Sequence, residues 1–103
     1  MDIQTFQEKV ITVFTKFDKL PNRCKHTKLS ACTHLMEEVG EVAREITNEV
    51  HRPEKFNLKD LGMELADVMQ FIVVIADLYN IDLSSEMEKS IIKVEDKILK
   101  LSN

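Results

Sequence analysis

The sequence has few of the residues that form the tight turns between β-strands, with only two glycines and two prolines among 103 residues. Tight hairpin turns depend on glycine, proline and asparagine at fixed positions, so this composition disfavours an all-β fold. The apolar residues instead recur at intervals of three and four, which is the spacing of one helix face. We therefore predict an all-α fold, a four-helix bundle of antiparallel helices, in a single domain over residues 1–103.

Cysteine, dense basic runs and long apolar runs are scarce as well. Cys24 and Cys32 are too few for a disulfide framework and lack the C-x-x-C spacing of a zinc or redox site. The net charge of −4 without clustered lysine and arginine argues against a nucleic-acid polymer as partner. Glu64 and Asp67 interrupt the best apolar stretch, so no segment reaches the ~18 apolar residues of a membrane span. Together with an amino terminus unlike a signal peptide, these absences predict a cytoplasmic protein.

The size and composition of the chain predict a small core. A content of 44% hydrophobic and 31% charged residues is ordinary for one soluble globular domain. A domain of this length buries a modest share of its surface, and a second copy can cover more of it. We expect at least a homodimer, or else a homotetramer.

Four helices are predicted from the apolar spacing and from residues that cap helix ends. The phenylalanines of the first helix could line a base-binding pocket, although such a stripe is more often core. The predicted starts are Asp2, Lys28, Asn57, and Asp82 or Ser84, and the second and third helices end near Glu49 and Asn80. The apolar stripes predicted to face the core are Leu35, Val39, Val42, Ile46 and Val50 in the second helix, and Met87, Ile91, Val94, Ile98 and Leu101 in the fourth.

The third predicted helix combines an apolar surface with two carboxylates. From Leu61 to Ala76 it is apolar on nearly every side, yet it carries Glu64 and Asp67 one turn apart. A helix that is apolar all round is normally buried, and two like charges ~4 Å apart repel by about 4 kcal/mol at an effective dielectric of ~20. The charge must be compensated by protonation, by a lysine or arginine of a neighbouring helix, or by a metal ion.

A second acidic cluster lies upstream, on the polar face of the second predicted helix. It contains Glu37, Glu38 and Glu41, and such a charge row is usually a solvated surface. If the second and third helices are antiparallel neighbours, Glu38, Glu41, Glu64 and Asp67 converge on one volume. Oxygen ligands of this kind suit hard divalent cations, so we predict a Mg²⁺ site that Mn²⁺ can also occupy.

The two acidic segments resemble the MazG-like nucleoside triphosphate pyrophosphohydrolases. HLMEEVGEVAREI followed by DLGMELADVMQFIVVIADLYNIDL fits the family pattern E-E-x-x-E and then E-x-x-D, over about residues 28–98. The resemblance implies a MazG-type helical fold, usually a dimer or dimer of dimers, that hydrolyses a nucleoside triphosphate to the monophosphate and pyrophosphate. By this likeness the Mg²⁺ ligands would be Glu38, Glu41, Glu64 and Asp67. Glu37 would hold a further ion or orient the attacking water, and either Glu37 or Glu41 would take the proton of that water.

The last predicted helix departs from the family pattern. Many members carry lysine and asparagine together there, whereas this chain has Lys89 and Lys93 but no asparagine between Asn80 and Asn103. The two lysines are one turn apart and could bind substrate phosphates as point charges, or could belong to a solvated helix face. The missing asparagine amide bears on substrate choice and catalytic efficiency, and not on the metal site.

Two other functions are compatible with the sequence besides nucleotide-pool housekeeping by a nucleoside triphosphate pyrophosphohydrolase. One is a phosphoribosyl-ATP pyrophosphohydrolase, a related family with a similar acidic set. The other is a non-catalytic helical interaction module that retains a metal site. The five intact acidic positions favour an enzyme, and the missing asparagine favours the module.

Overall fold

The computed structural model describes residues 1–102, which form four α-helices and a short 3₁₀ turn and contain no β-strand. The elements are α1 (Ile3–Asp18), α2 (Lys28–His51), the 3₁₀ turn (Pro53–Lys55), α3 (Leu58–Leu78) and α4 (Leu83–Ser102). The predicted all-α class with four helices is confirmed, and the helix ends lie close to the predicted ones. None of the described helices is long and apolar enough to cross a membrane.

Short polar side chains fix where the helices begin. Asp2 and Asn57 accept hydrogen bonds from the first backbone N–H groups of α1 and α3, and Asp82 does the same for α4. These caps were predicted. At α2, Thr27 and Ser30 form a reciprocal capping box. This cap was not predicted, because the usual box has glutamate or glutamine in the second position.

The end of α3 is set by a left-handed turn at Asn80, whose φ is 55°. The N–H of Ile81 donates to the carbonyl of Ala76 at 2.8 Å, and the N–H of Asn80 donates to the carbonyl of Asp77 at 3.1 Å. This pair of bonds is the Schellman motif, and asparagine adopts its left-handed position at less cost than most side chains. The chain therefore leaves α3 here, and α4 begins directly after the turn.

Helices α2 and α3 form an antiparallel pair with the most extensive contact in the molecule. At one end, Glu45 Oε1 on α2 accepts a hydrogen bond of 2.7 Å from the N–H of Asn57, the residue that caps α3. Further along, the His34 ring of α2 stacks on the Phe71 ring of α3. These two contacts set the register, and they place the acidic positions of the two helices opposite each other.

The core is small and lies mainly on α3. Its five buried residues are Val10 of α1, Ala31 of α2, and Val73, Val74 and Ala76 of α3. Helix α1 packs chiefly on α3, whereas α4 contributes no buried residue and makes little contact with the other helices. The predicted bundle is therefore packed tightly in its first three helices only.

Several faces that the apolar spacing predicts to be buried are exposed. Helices α2 and α3 meet through the faces that carry the carboxylates, which turns much of their apolar surface outward. The exposed residues include Val39, Ile46 and Val50 of α2, Leu65, Met69 and Ile72 of α3, and the whole predicted stripe of α4. The expectation that α3 is buried all round is wrong for this reason.

Candidate functional site

Three carboxylates from α2 and α3 meet in one place. Glu38, Glu41 and Glu64 each offer a carboxylate oxygen, and these three atoms lie within 4.8 Å of one another. All three residues are half-buried. The spacing of three residues puts Glu38 and Glu41 on one face of α2, and the antiparallel register brings Glu64 of α3 to the same point.

The other two predicted acidic residues lie at the margin of this cluster. Asp67 is near enough for its charge to raise the pKa of Glu38 and of Glu64, but its carboxylate is not among the three converging groups. Glu37 is exposed, and its Oε2 lies 3.5 Å from Nδ1 of His34. The predicted acidic set is thus divided into three converging residues and two neighbours.

The crowding of negative charge raises the pKa of two of these carboxyl groups. A hydrogen bond shared with Glu41 is the largest cause that raises the pKa of Glu64 to about 7, followed by loss of solvent and by the charges of Glu41, Glu38 and Asp67. Loss of solvent is the main cause that raises the pKa of Glu38, followed by the charge of Glu41. Both carboxyl groups therefore keep their protons to a higher pH than an isolated glutamate does.

Two oxygens of the cluster are buried without a hydrogen-bond partner among residues 1–102, namely Glu38 Oε2 and Glu64 Oε2. Unpaired buried oxygens are costly and call for an explanation such as an ion. No lysine or arginine of the described chain lies within ion-pair distance of Glu38, Glu41 or Glu64. Of the three ways to compensate the charge, protonation and a divalent cation fit the structure, and all the donors are the hard oxygens that Mg²⁺ prefers.

The raised pKa of Glu64 predicts how the stability of the metal-free protein depends on pH. The folded protein holds this proton up to about pH 7, whereas the unfolded chain releases it near 4.5. The folded state binds more protons in this interval, so the free energy of unfolding should fall as pH rises from about 4.5 to 7. Urea unfolding in EDTA at fixed protein concentration measures this slope, and Glu64→Gln should reduce it. A free energy of unfolding that rises over this interval would contradict the assignment.

An aromatic cavity of about 570 Å³ lies between α1, the loop before α2, α2 and α3. The His34 and Phe71 rings are stacked, with centroids 5.2 Å apart and planes 16° from parallel, and Phe14 meets Phe71 edge-on at 5.5 Å. Because His34 lines the cavity and also approaches Glu37, the cavity wall reaches the margin of the acidic cluster. Lining residues that bear on its chemistry are Phe14, Phe17, Arg23, His34, Gln70 and Phe71.

The loop that precedes α2 is fastened to α1 at this cavity. Nδ1 of His26 lies 3.0 Å from Asp18 Oδ1, and the backbone N–H of His26 donates to Asp18 Oδ2 at 3.2 Å. The guanidinium carbon of Arg23 lies 5.1 Å from the centre of the Phe17 ring. These contacts give the cavity a positively charged side chain on a wall that is otherwise largely aromatic.

The sequence reading missed part of this cavity. His26, His34 and Phe71 were not among the residues predicted for the site. A usable signal was present, because His34 precedes Glu41 by two helical turns and Phe71 follows Glu64 by two turns, which puts them on the acidic faces. His26 lies in a loop, where no periodicity could have indicated its contact with Asp18.

The two predicted phosphate-binding lysines do not contact the acidic cluster within the described chain. Lys89 and Lys93 lie on an exposed part of α4, and Lys89 Nζ donates to Glu86 Oε1 at 3.3 Å. Since α4 makes little contact with α2 and α3, their role as phosphate ligands stays a prediction.

Comparison with protein-family models matches residues 26–100 to the MazG nucleotide pyrophosphohydrolase domain. No significant match was found among curated proteins or among solved structures. The matched segment contains all of α2 and α3, and with them the three converging carboxylates. Because it also covers well over half of the 103 residues, the chain belongs to the MazG nucleotide pyrophosphohydrolase family.

Proposed function

We propose that this protein hydrolyses a nucleoside triphosphate to the nucleoside monophosphate and pyrophosphate, with Mg²⁺ as cofactor. Membership of the family supports the class of reaction. The observation that carries the proposal for the metal is the convergence of Glu38, Glu41 and Glu64 with two buried oxygens that have no hydrogen-bond partner in the described chain.

The residues that would hold the ion are Glu38, Glu41 and Glu64, with Asp67 as a fourth ligand. Together their negative charges strengthen the binding of a cation. Carboxylates near a phosphate substrate commonly bind Mg²⁺ or Mn²⁺. When bound, Mg²⁺ neutralises phosphate oxygens and lowers the pKa of a coordinated water.

Glu37 is the proposed group that orients the attacking water or accepts its proton. Its carboxylate is exposed at the margin of the cluster, where water can reach it, and its Oε2 lies 3.5 Å from Nδ1 of His34. Glu41 is the second candidate, because its carboxylate is one of the three that converge. Phosphoryl transfer depends mainly on positioning and on charge neutralisation, so these few groups supply most of what the reaction needs.

The aromatic cavity is the proposed place for the base and sugar of the substrate. Its volume of about 570 Å³ lies within the range of ligand pockets, roughly 300–1,000 Å³. Aromatic rings such as Phe71 and Phe14 can stack on a base, and the Gln70 amide and His34 nitrogens can form hydrogen bonds with it. A base held there would direct its phosphates towards the adjacent carboxylates.

We further propose a homodimer or homotetramer that works in nucleotide-pool housekeeping in the cytoplasm, without a nucleic-acid polymer or a membrane as partner. Lys89 and Lys93 are the proposed phosphate contacts. Because α4 makes little contact with α2 and α3 of its own chain, the α4 that supplies these lysines would belong to another copy.

The experiment that tests the function is a substrate panel with Mg²⁺. Ribonucleoside and deoxyribonucleoside triphosphates, phosphoribosyl-ATP and inorganic tripolyphosphate are each incubated with the purified protein, and the products are quantified. We expect equal amounts of monophosphate and pyrophosphate from at least one nucleoside triphosphate, and no turnover of tripolyphosphate. Exclusive use of phosphoribosyl-ATP would identify the related family, and no turnover at all would favour the interaction module.

The same assay tests the cavity through Phe71→Ala. Loss of one stacking ring should raise KM about tenfold, since stacking contributes about 1–3 kcal/mol per base, with a smaller change in kcat. Ile72→Ala is the matched control, because Ile72 is the exposed neighbour of Phe71 on α3 and does not line the cavity. An unchanged KM in Phe71→Ala would exclude this cavity as the base site.

A further inference from the structure

Among the described residues that line the aromatic cavity, Arg23 is the only one with a permanent charge, and none is a carboxylate. A guanidinium carries five N–H donors and no acceptor, and it keeps its proton in proteins. The amides of Asn22 and Gln70 can turn to present either a donor or an acceptor, and histidine nitrogens donate or accept according to tautomer. Arg23 is therefore the one lining group whose hydrogen-bonding role is fixed, and that role is donation.

A tight turn places Arg23 at the cavity. Its backbone N–H donates to the carbonyl of Leu20 at 3.1 Å, which closes a turn over residues 20–23. Pro21 and Asn22 occupy the middle of this turn, and Asn22 has a φ of 65°. Proline followed by a residue with positive φ is typical of a type II turn, whose backbone is well defined. The backbone of Arg23 is thus fixed by local geometry before any ligand binds.

Contacts with α1 hold both ends of this loop. The guanidinium carbon of Arg23 lies 5.1 Å from the centre of the Phe17 ring, and a cation over an aromatic face is attracted to it. On the other side of Arg23, the backbone N–H and Nδ1 of His26 both meet the carboxylate of Asp18. A group held in place in this way loses less entropy on binding a ligand than a free surface arginine does.

A row of aromatic rings separates Arg23 from the carboxylates. In order of contact the row is Phe17, Phe14, Phe71 and His34, with successive ring centroids 6.5, 5.5 and 5.2 Å apart. His34 approaches Glu37 at one end, and Phe17 carries Arg23 at the other. Among the rings of residues 1–102, Phe17 pairs with Phe14 alone, so the two ends of the row are apart. A nucleotide with its phosphates at the carboxylates would therefore meet Arg23 with its base.

The bases differ in what they offer to a fixed donor. Guanine presents two neighbouring acceptors, O6 and N7, and arginine donates to this pair through two parallel hydrogen bonds. Hypoxanthine and xanthine carry the same 6-oxo group and N7. Adenine has an amino donor in place of O6, cytosine presents an amino donor, and thymine presents O4 alone. A 6-oxopurine is therefore the base that best matches a guanidinium.

We propose that Arg23 selects 6-oxopurine nucleoside triphosphates by donating two hydrogen bonds to O6 and N7 of the base. This inference rests on the proposed function, because it takes from it the base in the aromatic cavity and the phosphates at the acidic cluster. Arg23 would thus determine specificity by direct contact with the substrate. Lysine would not replace it, since an ammonium group lacks the planar fork that matches two adjacent acceptors.

Binding of nucleotides that resist hydrolysis tests the proposal without turnover. The α,β-methylene analogues of GTP, ITP and ATP keep the base and the phosphates, but the bond between the α and β phosphorus atoms is replaced by a carbon bridge. Isothermal titration with Mg²⁺ should give a Kd about tenfold or more lower for the guanine and hypoxanthine analogues than for the adenine analogue. Equal values, or no binding of any analogue, would overturn the proposal.

This readout separates the proposal from the hydrolytic function. A protein that prefers the 6-oxopurine analogues but cleaves no nucleoside triphosphate would refute the hydrolysis and leave the role of Arg23 standing. A protein that cleaves nucleoside triphosphates but binds the guanine and adenine analogues equally would do the reverse.

The acceptor can also be removed from the ligand while the protein stays unchanged. A 7-deaza form of the guanine analogue has C–H in place of N7, so wild type should bind it about tenfold more weakly, since a hydrogen bond from a charged donor is lost. Equal binding of the two guanine analogues by wild type would contradict the contact with N7. This comparison decides the matter even if a variant of Arg23 fails to fold.

Variants of two arginines complete the test. Arg23→Met should bind the guanine, 7-deazaguanine and adenine analogues with similar affinity, and Arg23→Lys should lose most of the preference as well. Arg52→Met is the matched control, because Arg52 is an exposed arginine at the end of α2 and does not line the cavity. It should keep the wild-type preference. An Arg23→Met variant that binds all analogues more weakly but keeps the preference would show a contact with phosphate and overturn the proposal.

Discussion

Glu64→Gln is expected to reduce Mg²⁺-dependent hydrolysis by about 100-fold or more, the scale on which loss of one preorganised charged or polar group acts. The metal-free variant should be as stable as wild type or more stable. Glu64 lies among Glu41, Glu38 and Asp67. A hydrogen bond shared with Glu41, loss of solvent and the charges of these neighbours raise the pKa of Glu64 to about 7. Glutamine keeps the shape of the side chain and removes its charge. Pyrophosphate release and urea unfolding in EDTA measure the two effects separately.

Glu49→Gln is the matched control, because Glu49 is an exposed glutamate of α2 outside the cluster. It should leave both activity and stability unchanged. If Glu64→Gln instead destabilised the metal-free protein by about 3–5 kcal/mol, Glu64 would have a buried cationic partner whose charge the substitution strands. That outcome would contradict the metal-cluster account.

Mg²⁺ is expected to raise the melting temperature of the protein substantially. An ion that binds only the folded state at about 100 times its Kd stabilises it by about 2.7 kcal/mol. At roughly 4–8 °C per kcal/mol for a domain of this size, the melting temperature should rise by roughly 10–20 °C. Scanning calorimetry at fixed protein concentration, without nucleotide, measures this shift.

Screening of the net charge of −4 could also stabilise the protein, so NaCl of equal ionic strength is the control. Glu38→Gln should lose most of the shift with Mg²⁺, since Glu38 contributes one of the three converging oxygens and a buried oxygen without a partner. Glu49→Gln should retain it. An equal shift with NaCl, or a full shift in Glu38→Gln, would mean that Mg²⁺ acts on the general charge and not at this cluster.

The sequence by itself determined the helices and the chemistry of the acidic residues. Spacing of three and four predicts helices, and short polar residues such as Asp2 and Asn57 predict their starts, because both signals are local. The acidic pattern in α2 and α3 was also sufficient to indicate the family. In each case the information lies within a few turns of one helix, where the geometry of the backbone is known in advance.

The tertiary structure alone decided which helix faces meet. Helix α2 has apolar residues on two sides, so its periodicity could not tell that Val39 faces solvent while Glu38 faces α3. The same packing separated Asp67 from the converging carboxylates and stacked His34 on Phe71. Periodicity shows which residues share a helix face, but it does not show which other helix packs on that face. That contact depends on residues far away in the chain.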